Sequence, residues 1–596
     1  MVRAEFRETR TQRSLGLFKF SLLTVAVGVV SGLGAVIFRA LIAFFHNLFF
    51  LGTISTVYDA NVHTPDSPWG TFLIVIPVMG TLIVTALIEA FAPEARGHGV
   101  PEVMYAVYYS KGVIRPVVAV IKSLASALCI GSGGSVGREG PIVQIGSSFG
   151  STMGQLFAMS PRQRIVLVAA GAGGGIAATF NTPIGGVLFA AELILHEVSV
   201  KTLVPLIIAT AIATYIGRLF FGVHPSFVIP SLEKPYFHLA SPWLLALYAG
   251  LGVLMGLAST AFIRVLYGLE DFFTGRLGKN PYVRNLGGML IFGIAIYLLK
   301  LASGHYYIEG VGYAVIQDVL TGKIPAISFL IALCLLKLFA TSLTLAAGGS
   351  GGIFSPSLFM GATAGGAYGF LLDFLIPGLG IDPAAFAVAG MAGMVAGTTG
   401  AAITAIVMIF EMTLDQNVIL PMTITVALSY GMRKLLSRES IYTLKLVRRG
   451  YAVPDTLQAD LLHAKRTRDL MDTNIETIEL SETGLIARKL ANPEISHLIF
   501  YEDDKIIGAL SKESITKKQV EAEAKFDFKE KILKNFILVK DTDTVLRIIE
   551  KLQNCEASLA IVVSDKKNTD SHRVVGVITR DHITKVLEEY EELFSG

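Results

Sequence analysis

Long apolar stretches broken by clusters of glycine organise the first three-quarters of the chain. The runs at 20–45, 72–91, 202–221 and 242–265 each carry a single charged residue. Each is long enough to cross a bilayer as a helix, which takes roughly 20 residues. Other apolar pieces are shorter and stop at glycine-rich segments, at 97–101, 131–141, 171–175, 348–356 and 390–400. These segments predict broken helices. Irregular backbone at membrane depth is tolerated only where protein or a polar cavity surrounds it. The breaks at 131–141 and 348–356 fall in corresponding halves, which predicts an inverted repeat with a transport site between the halves. Helix packing alone accounts for Gly28, Gly32 and Gly34, since small residues one turn apart let membrane helices approach. It does not account for Gly348-Gly349-Ser350-Gly351-Gly352, which is too glycine-rich to hold a continuous helix.

Near residue 450 the pattern changes. Strand-like runs at 496–500 and 505–510 lead into a polar turn at 511–513. A second unit has a helical period at 544–552, strands at 559–563 and 574–578, and a closing helix at 582–593. The Lys- and Glu-rich segment 513–536 reads as a solvated helix or linker between them. The expected fold is a polytopic α-helical membrane domain over 1–450, followed by a cytosolic α/β tandem over 451–596.

Composition supports this division. The chain has 596 residues, 52% of them hydrophobic and 16% charged, where a soluble protein carries about 25% charged residues. Its mean hydropathy is +0.59. The net charge of +3 averages two different parts, for about a third of residues 451–596 are charged against about a ninth of the first 450. Charges in the tail are mixed in sign, so nucleic acid is not an expected partner. Cys129, Cys334 and Cys555 have neither disulfide nor zinc spacing. Arg3, Arg7, Arg10 and Arg13 precede the first apolar run, which places the N-terminus in the cytoplasm. That run is too long for a cleavable signal. A cytosolic tail then requires an even number of crossings, with the plasma (inner) membrane as the default location.

The candidate chemistry sits at Gly137-Arg138-Glu139-Gly140-Pro141. A carboxylate at mid-bilayer costs about 2.5–3.5 kcal/mol by insertion scales, so a functional role is the default reading. Glycines beside it let backbone N–H groups approach a ligand. The combination suggests an anion site with a titratable blocker; the alternative is a structural ion pair between Glu139 and Arg138.

Four segments in order carry a resemblance: Gly97-His98-Gly99-Val100-Pro101, Gly137-Arg138-Glu139-Gly140-Pro141, Gly352-Ile353-Phe354-Ser355-Pro356, and Tyr442 within Glu439-Ser440-Ile441-Tyr442. Phe180-Asn181-Thr182-Pro183 and Glu411-Met412-Thr413 support it, and Lys122 lies where the family often has a lysine. The chain resembles the CLC family of chloride channels and chloride/proton antiporters, with cytoplasmic CBS modules at about 460–515 and 532–594. The resemblance implies that Ile353 and Phe354 offer backbone N–H groups to a central chloride and that Tyr442 adds its phenolic O–H. It implies that Glu139 is the gate, supported by Gly137, Arg138, Gly140 and Lys122. It further implies a homodimer in the bilayer, each subunit with its own pore, carrying chloride and other small anions with no required cofactor or metal and no enzymatic chemistry.

Two positions depart from the family pattern. His98 replaces the usual serine beside the central anion, where histidine also donates a hydrogen bond; the plainer alternative is that only its backbone matters. Leu193 stands where antiporters usually carry a proton-relaying glutamate, and Met104 stands where some have a second acid. Glu192 is adjacent but about 100° away on a helix. The sequence therefore favours a passive or weakly proton-coupled chloride channel over a coupled antiporter. In the second CBS module, Thr579 and Asp581 are candidates for the phosphate and ribose of an adenine nucleotide, and Asp581 serves equally as a helix N-cap. Ser511 and Glu513 are the weaker equivalents in the first module. A CBS-containing divalent-cation transporter would need acidic or carbonyl rings in the membrane, and an intramembrane enzyme built on His98, Glu139 and Ser132 lacks zinc spacing or a nucleophile motif. The absence of a Gly-x-x-x-x-Gly-Lys-Ser/Thr run disfavours an ATP-driven pump.

Overall fold

The computed structural model describes residues 16–229, 242–276, 280–451, 466–490, 492, 494–502, 505–512, 532–533, 535–555, 557–564 and 574–584. The four N-terminal arginines, Glu513, most of the 513–536 segment and the end of the 582–593 helix lie outside the described residues. The chain divides into two units, one ending at Val453 and one beginning at Pro454.

The described residues of the first unit form helices joined by loops. Its first half contains α1 (Leu17–His46), α2 (Ile76–Phe91), α3 (Val100–Tyr109), α4 (Val117–Gly131), α5 (Glu139–Leu156), α6 (Pro161–Phe180), α7 (Pro183–Phe189) and α8 (Val200–Phe221). The second half contains α9 (Pro242–Arg276), α10 (Pro281–Ser303), α11 (Tyr313–Leu320), α12 (Ile327–Ala346), α13 (Phe354–Leu375), α14 (Pro383–Thr399), α15 (Ala402–Thr413), α16 (Ile419–Leu436) and α17 (Ile441–Arg448). Among the described residues, eight helices are long and apolar enough to cross a membrane. Local sequence sets several starts. Ser160, Asn280 and Asp382 cap α6, α10 and α14, each followed at once by proline, whose fixed φ and missing N–H suit the first helical position.

An inverted repeat emerges from matched interactions. Lys122 in α4 donates to the carbonyls of Ala95 and Gly97 at 2.9 and 2.7 Å. Lys337 in α12 donates to those of Ile308 and Gly310 at 3.1 and 2.8 Å. Glu411 in α15 accepts the N–H groups of Ile184 and Gly185 at the start of α7, at 3.1 and 2.7 Å. In return Glu192, just after α7, accepts those of Ile403 and Thr404 at the start of α15, at 3.2 and 2.7 Å. Each carboxylate thus satisfies the orphan donors of the other half's broken helix.

Two expected breaks are instead helix interior. The 171–175 segment lies within α6, and 390–400 runs through α14 to Gly400, whose φ of 84° ends the helix. The physical reason is helix contact at backbone distance. A Cβ on Gly171 would lie 2.1 Å from the Gly146 carbonyl oxygen of α5, and one on Gly390 would lie 2.4 Å from that of Gly361 in α13. These glycines serve packing.

The second unit holds two like sheets. In the first, β1 (Ile475–Glu479) runs parallel to β2 (His497–Glu502), which pairs antiparallel with β3 (Lys505–Ser511). In the second, β4 (Phe536–Lys540), β5 (Leu559–Val563) and β6 (Val574–Thr579) repeat that order, with the helix Val545–Asn554 between β4 and β5. The sheets pack together through Ile499, Ala509, Leu559, Ile561 and Val577. The sequence reading expects neither β1 nor β4: β1 has Glu476 and Glu479 among its five residues, and β4 follows directly on the polar linker.

Substituting Gly171 by valine is expected to cost about 1–3 kcal/mol through overpacking. Gly268→Ala in α9, where a Cβ meets nothing within 4 Å, is expected to gain up to about 1 kcal/mol from helix propensity. Thermal melts of the detergent-solubilised protein check both signs.

Candidate functional site

The site forms where the two glycine breaks meet. Gly137 donates its N–H to the Gly352 carbonyl at 2.7 Å, and Gly352 returns the bond at 2.6 Å. This reciprocal bridge sets the starts of α5 and α13 side by side. Neither start has a side-chain cap from its own N-cap residue, so first-turn N–H groups are left for other acceptors.

On α13 those donors are divided. The Ser355 N–H goes to Glu139 Oε2 at 3.2 Å, whereas the buried Ile353 and Phe354 N–H groups have no protein acceptor among the described residues. Two side chains nearby share that condition. Tyr442, in the first turn of α17, is 1% exposed, and its hydroxyl makes no hydrogen bond among the described residues. His98, ahead of α3, is 2% exposed, and its Nδ1 has no partner among the described residues. Contacts gather these elements: the His98 carbonyl lies 1.9 Å from where a Cβ on Gly140 would sit. The His98 ring meets Tyr267 edge-on at 6.4 Å, and the Tyr267 hydroxyl donates to the Ile441 carbonyl at 2.5 Å. His98 also borders a cavity of about 380 Å³ rimmed by Arg96, Arg284 and Lys445. A buried polar group left unpaired costs about 1–3 kcal/mol. Uncommitted donors at a helix start and a cationic approach suit an anion.

Glu139 is 1% exposed and occupies one edge of this place. Besides the Ser355 N–H, it accepts the Tyr313 hydroxyl on Oε1 at 2.6 Å and the Ser355 hydroxyl on the same oxygen. The alternative of a Glu139–Arg138 ion pair is corrected here. The Arg138 guanidinium lies over the faces of Tyr313 and Phe180, 5.1 and 5.6 Å from their centroids, and no ion pair joins the two among the described residues. Lys122 does not face the anion place either. Its ammonium ties the loop before α3 to Ser350, whose Oγ it reaches at 3.0 Å.

Leu193 and Met104 are both buried. Glu192 is held at α15, where it also accepts the Thr404 hydroxyl at 2.6 Å. Tyr313, Ser355 and Lys337 were missed as site residues. Ser355 stands in the same motif as Phe354, and Lys337 precedes Gly352 by the spacing that separates Lys122 from Gly137, so both carried a signal. Tyr313 carried none, being 174 positions from the carboxylate it binds.

In the second unit, Thr579 rather than Asp581 is the N-cap of the closing helix. Its hydroxyl accepts the His582 N–H at 3.4 Å, and His582 Nδ1 accepts the Thr579 N–H at 3.3 Å. Strand β6 runs through Thr579, so the helix begins at Arg580 and leaves Asp581 exposed within its first turn.

Residues 80–434 match the model of the voltage gated chloride channel family, and residues 529–589 match that of the CBS domain. The chain is 35% identical over 369 residues to the H(+)/Cl(-) exchange transporter ClcA of Vibrio parahaemolyticus, covering 60% of this chain and 75% of that protein. It is 30% identical over 443 residues to the ClcA of Vibrio cholerae, covering 72% and 88%. A solved structure of a slow cyanobacterial Cl-/H+ antiporter superposes with a TM-score of 0.64 at 25% identity, covering 73% of this chain and 99% of that one. A eukaryotic CLC transporter superposes at 0.61 with 20% identity over 95% and 98% of the two chains, a likeness of fold.

Removing one donor with Tyr442→Phe or His98→Ala is expected to weaken chloride binding several-fold, in keeping with about 1 kcal/mol per hydrogen bond. Calorimetric titration of the purified protein with chloride checks it.

Proposed function

The chain belongs to the voltage-gated chloride channel family, and from that premise we propose that it moves chloride across a membrane along a path between the starts of α5 and α13, which Glu139 opens and closes. The observation that carries this reading is the Glu139 carboxylate on the Ser355 N–H, next to the unclaimed N–H groups of Ile353 and Phe354. An ionised carboxylate in that place competes with chloride for the same helix start. Protonation removes the charge that holds it there, and the path clears. The donors around Tyr442 and His98 are neutral dipoles, which bind an anion without trapping it.

Two modes of transport fit this gate. Exchange of chloride for protons is the first reading, supported by relatives that are named exchangers. Glu139 itself would then carry the proton whenever chloride displaces it. Passive conduction is the second, supported by Leu193 and Met104 at the relay positions and by the engagement of Glu192 at α15. We further assign the protein to a homodimer in the plasma (inner) membrane with both termini cytosolic. The second unit would act as a regulatory module, with Thr579 and Asp581 the residues on which an adenine-nucleotide reading rests.

Flux from proteoliposomes of the purified chain, with chloride and pH recorded together under a chloride gradient, separates the modes. Under exchange, chloride efflux drives protons against their own gradient; under passive conduction chloride leaves with no proton movement. Glu139→Gln is expected to keep chloride flux but abolish its pH dependence and any proton coupling. Absence of chloride flux in the unsubstituted protein would overturn the reading.

A further inference from the structure

Three oxygen atoms from three helices meet at the gate. Glu139 Oε1 of α5 accepts the Tyr313 hydroxyl of α11 at 2.6 Å and the Ser355 hydroxyl of α13, and the two hydroxyl oxygens lie 2.9 Å from each other. All three side chains are buried. The Tyr313 ring is fixed from several sides. Phe227 meets it edge-on at 5.4 Å, Phe180 lies at 6.4 Å, and the Arg138 guanidinium covers its face. Its hydroxyl is therefore held where the carboxylate arrives. A backbone N–H alone would suffice to dock a carboxylate at a helix start, so the two hydroxyls need an account of their own.

We propose that Tyr313 and Ser355 form a hydroxyl latch, two positioning residues that hold the ionised Glu139 in the anion path and set the pH at which the path opens. The proposal rests on Glu139 being the gate and deepens that reading.

Hydrogen counting gives the sign. The two hydroxyls bring two hydrogens to three oxygen–oxygen contacts. While Glu139 is ionised, both hydrogens point at Oε1 as charge-assisted bonds, which are roughly twice as strong as neutral ones, and the Tyr313–Ser355 contact holds none. A proton added to the carboxyl supplies a third hydrogen, so the contacts close into a ring of neutral bonds. The latch consequently grips the ionised gate harder than the protonated one. Removing either hydroxyl weakens the closed, ionised state most, so the path then opens at higher pH. The other titratable or charged groups that face Glu139 are Lys337 from α12 and Tyr442 from α17, while Arg138, next to it in sequence, lays its guanidinium on the Tyr313 ring. None of them changes in the latch variants, so a displaced pH profile reports the latch.

The test is chloride flux against pH from proteoliposomes of the full chain, for the unsubstituted protein, Tyr313→Phe and Ser355→Ala, each also combined with Glu139→Ala. Loss of one charge-assisted bond is expected to move the midpoint of the flux–pH curve about one unit toward alkaline pH. Flux at neutral pH should rise roughly three- to tenfold by the same conversion. In the Glu139→Ala background the acceleration should vanish, because the latch has nothing to hold. An unmoved midpoint in both folded variants overturns the proposal, as does an equal acceleration without Glu139. Ser355→Ala removes a single oxygen and keeps the test decisive where Tyr313→Phe fails to fold. Chloride flux with unmoved midpoints sinks the latch alone, whereas no chloride flux in the unsubstituted protein sinks the gate reading as well.

Discussion

Two backbone hydrogen bonds exchanged between Gly137 and Gly352 are the constraint on which the site depends. Each glycine gives its N–H and its carbonyl to the other, so the starts of α5 and α13 are clamped in one register. A side chain at Gly352 would meet backbone, and one at Gly137 would displace the Glu139 carboxylate. A Cβ on Gly352 would stand 2.7 Å from the Gly140 nitrogen, and one on Gly137 would stand 2.2 Å from Glu139 Oε2. The clamp thus leaves the Ile353 and Phe354 N–H groups uncommitted and brings the Glu139 carboxylate to their neighbour. Lys122 and Lys337 secure the loops outside it, each bonding carbonyls just ahead of the short helix of its own half.

Those lysines also explain how the site stays weakly polar in a region so rich in cations. Each ammonium bonds two carbonyl oxygens, Lys122 the Ser350 hydroxyl as well, and the Arg138 guanidinium lies on aromatic faces. What remains for an anion is a set of partial charges at a helix start, with a phenol and an imidazole. Full positive charge directed at the same place would bind more tightly and release more slowly, which opposes transport.

Much of this was legible in the sequence because the chemistry needs contiguous residues. A carboxylate flanked by glycines, and a glycine run opening a helix, stand out against apolar surroundings. The change in charge density near residue 450 is equally plain. Glycine runs read less well, because the same residues break a helix at 131–141 and pack one within α6; the difference lies in the Gly146 carbonyl across the contact, which no local pattern encodes. Tyr313 is invisible for the same reason. Its neighbours in sequence describe only a short apolar helix, and its meaning comes from a partner on α5. In the second unit, Thr579 takes the cap because β6 extends through it, a boundary that composition leaves open by a residue or two.

The repeat itself separates structure from function. A spacing of 215 positions relates Lys122 to Lys337, Gly137 to Gly352 and Gly146 to Gly361, and at each of these pairs the two halves carry the same residue doing the same work. Glu192 and Glu411 form a similar pair with reciprocal caps. The same spacing relates Glu139 to Phe354 and His98 to Tyr313, and there the halves differ. At the first pair one half contributes a titratable carboxylate and the other an unclaimed N–H. At the second, one half presents an imidazole beside a cavity and the other a phenol that bonds the Glu139 carboxylate. A symmetric pair of carboxylates at the clamp would repel each other and compete for both helix starts, leaving no place for an anion. On the proposed function, breaking the symmetry at these positions lets one helix start receive the anion while the other supplies the group that excludes it.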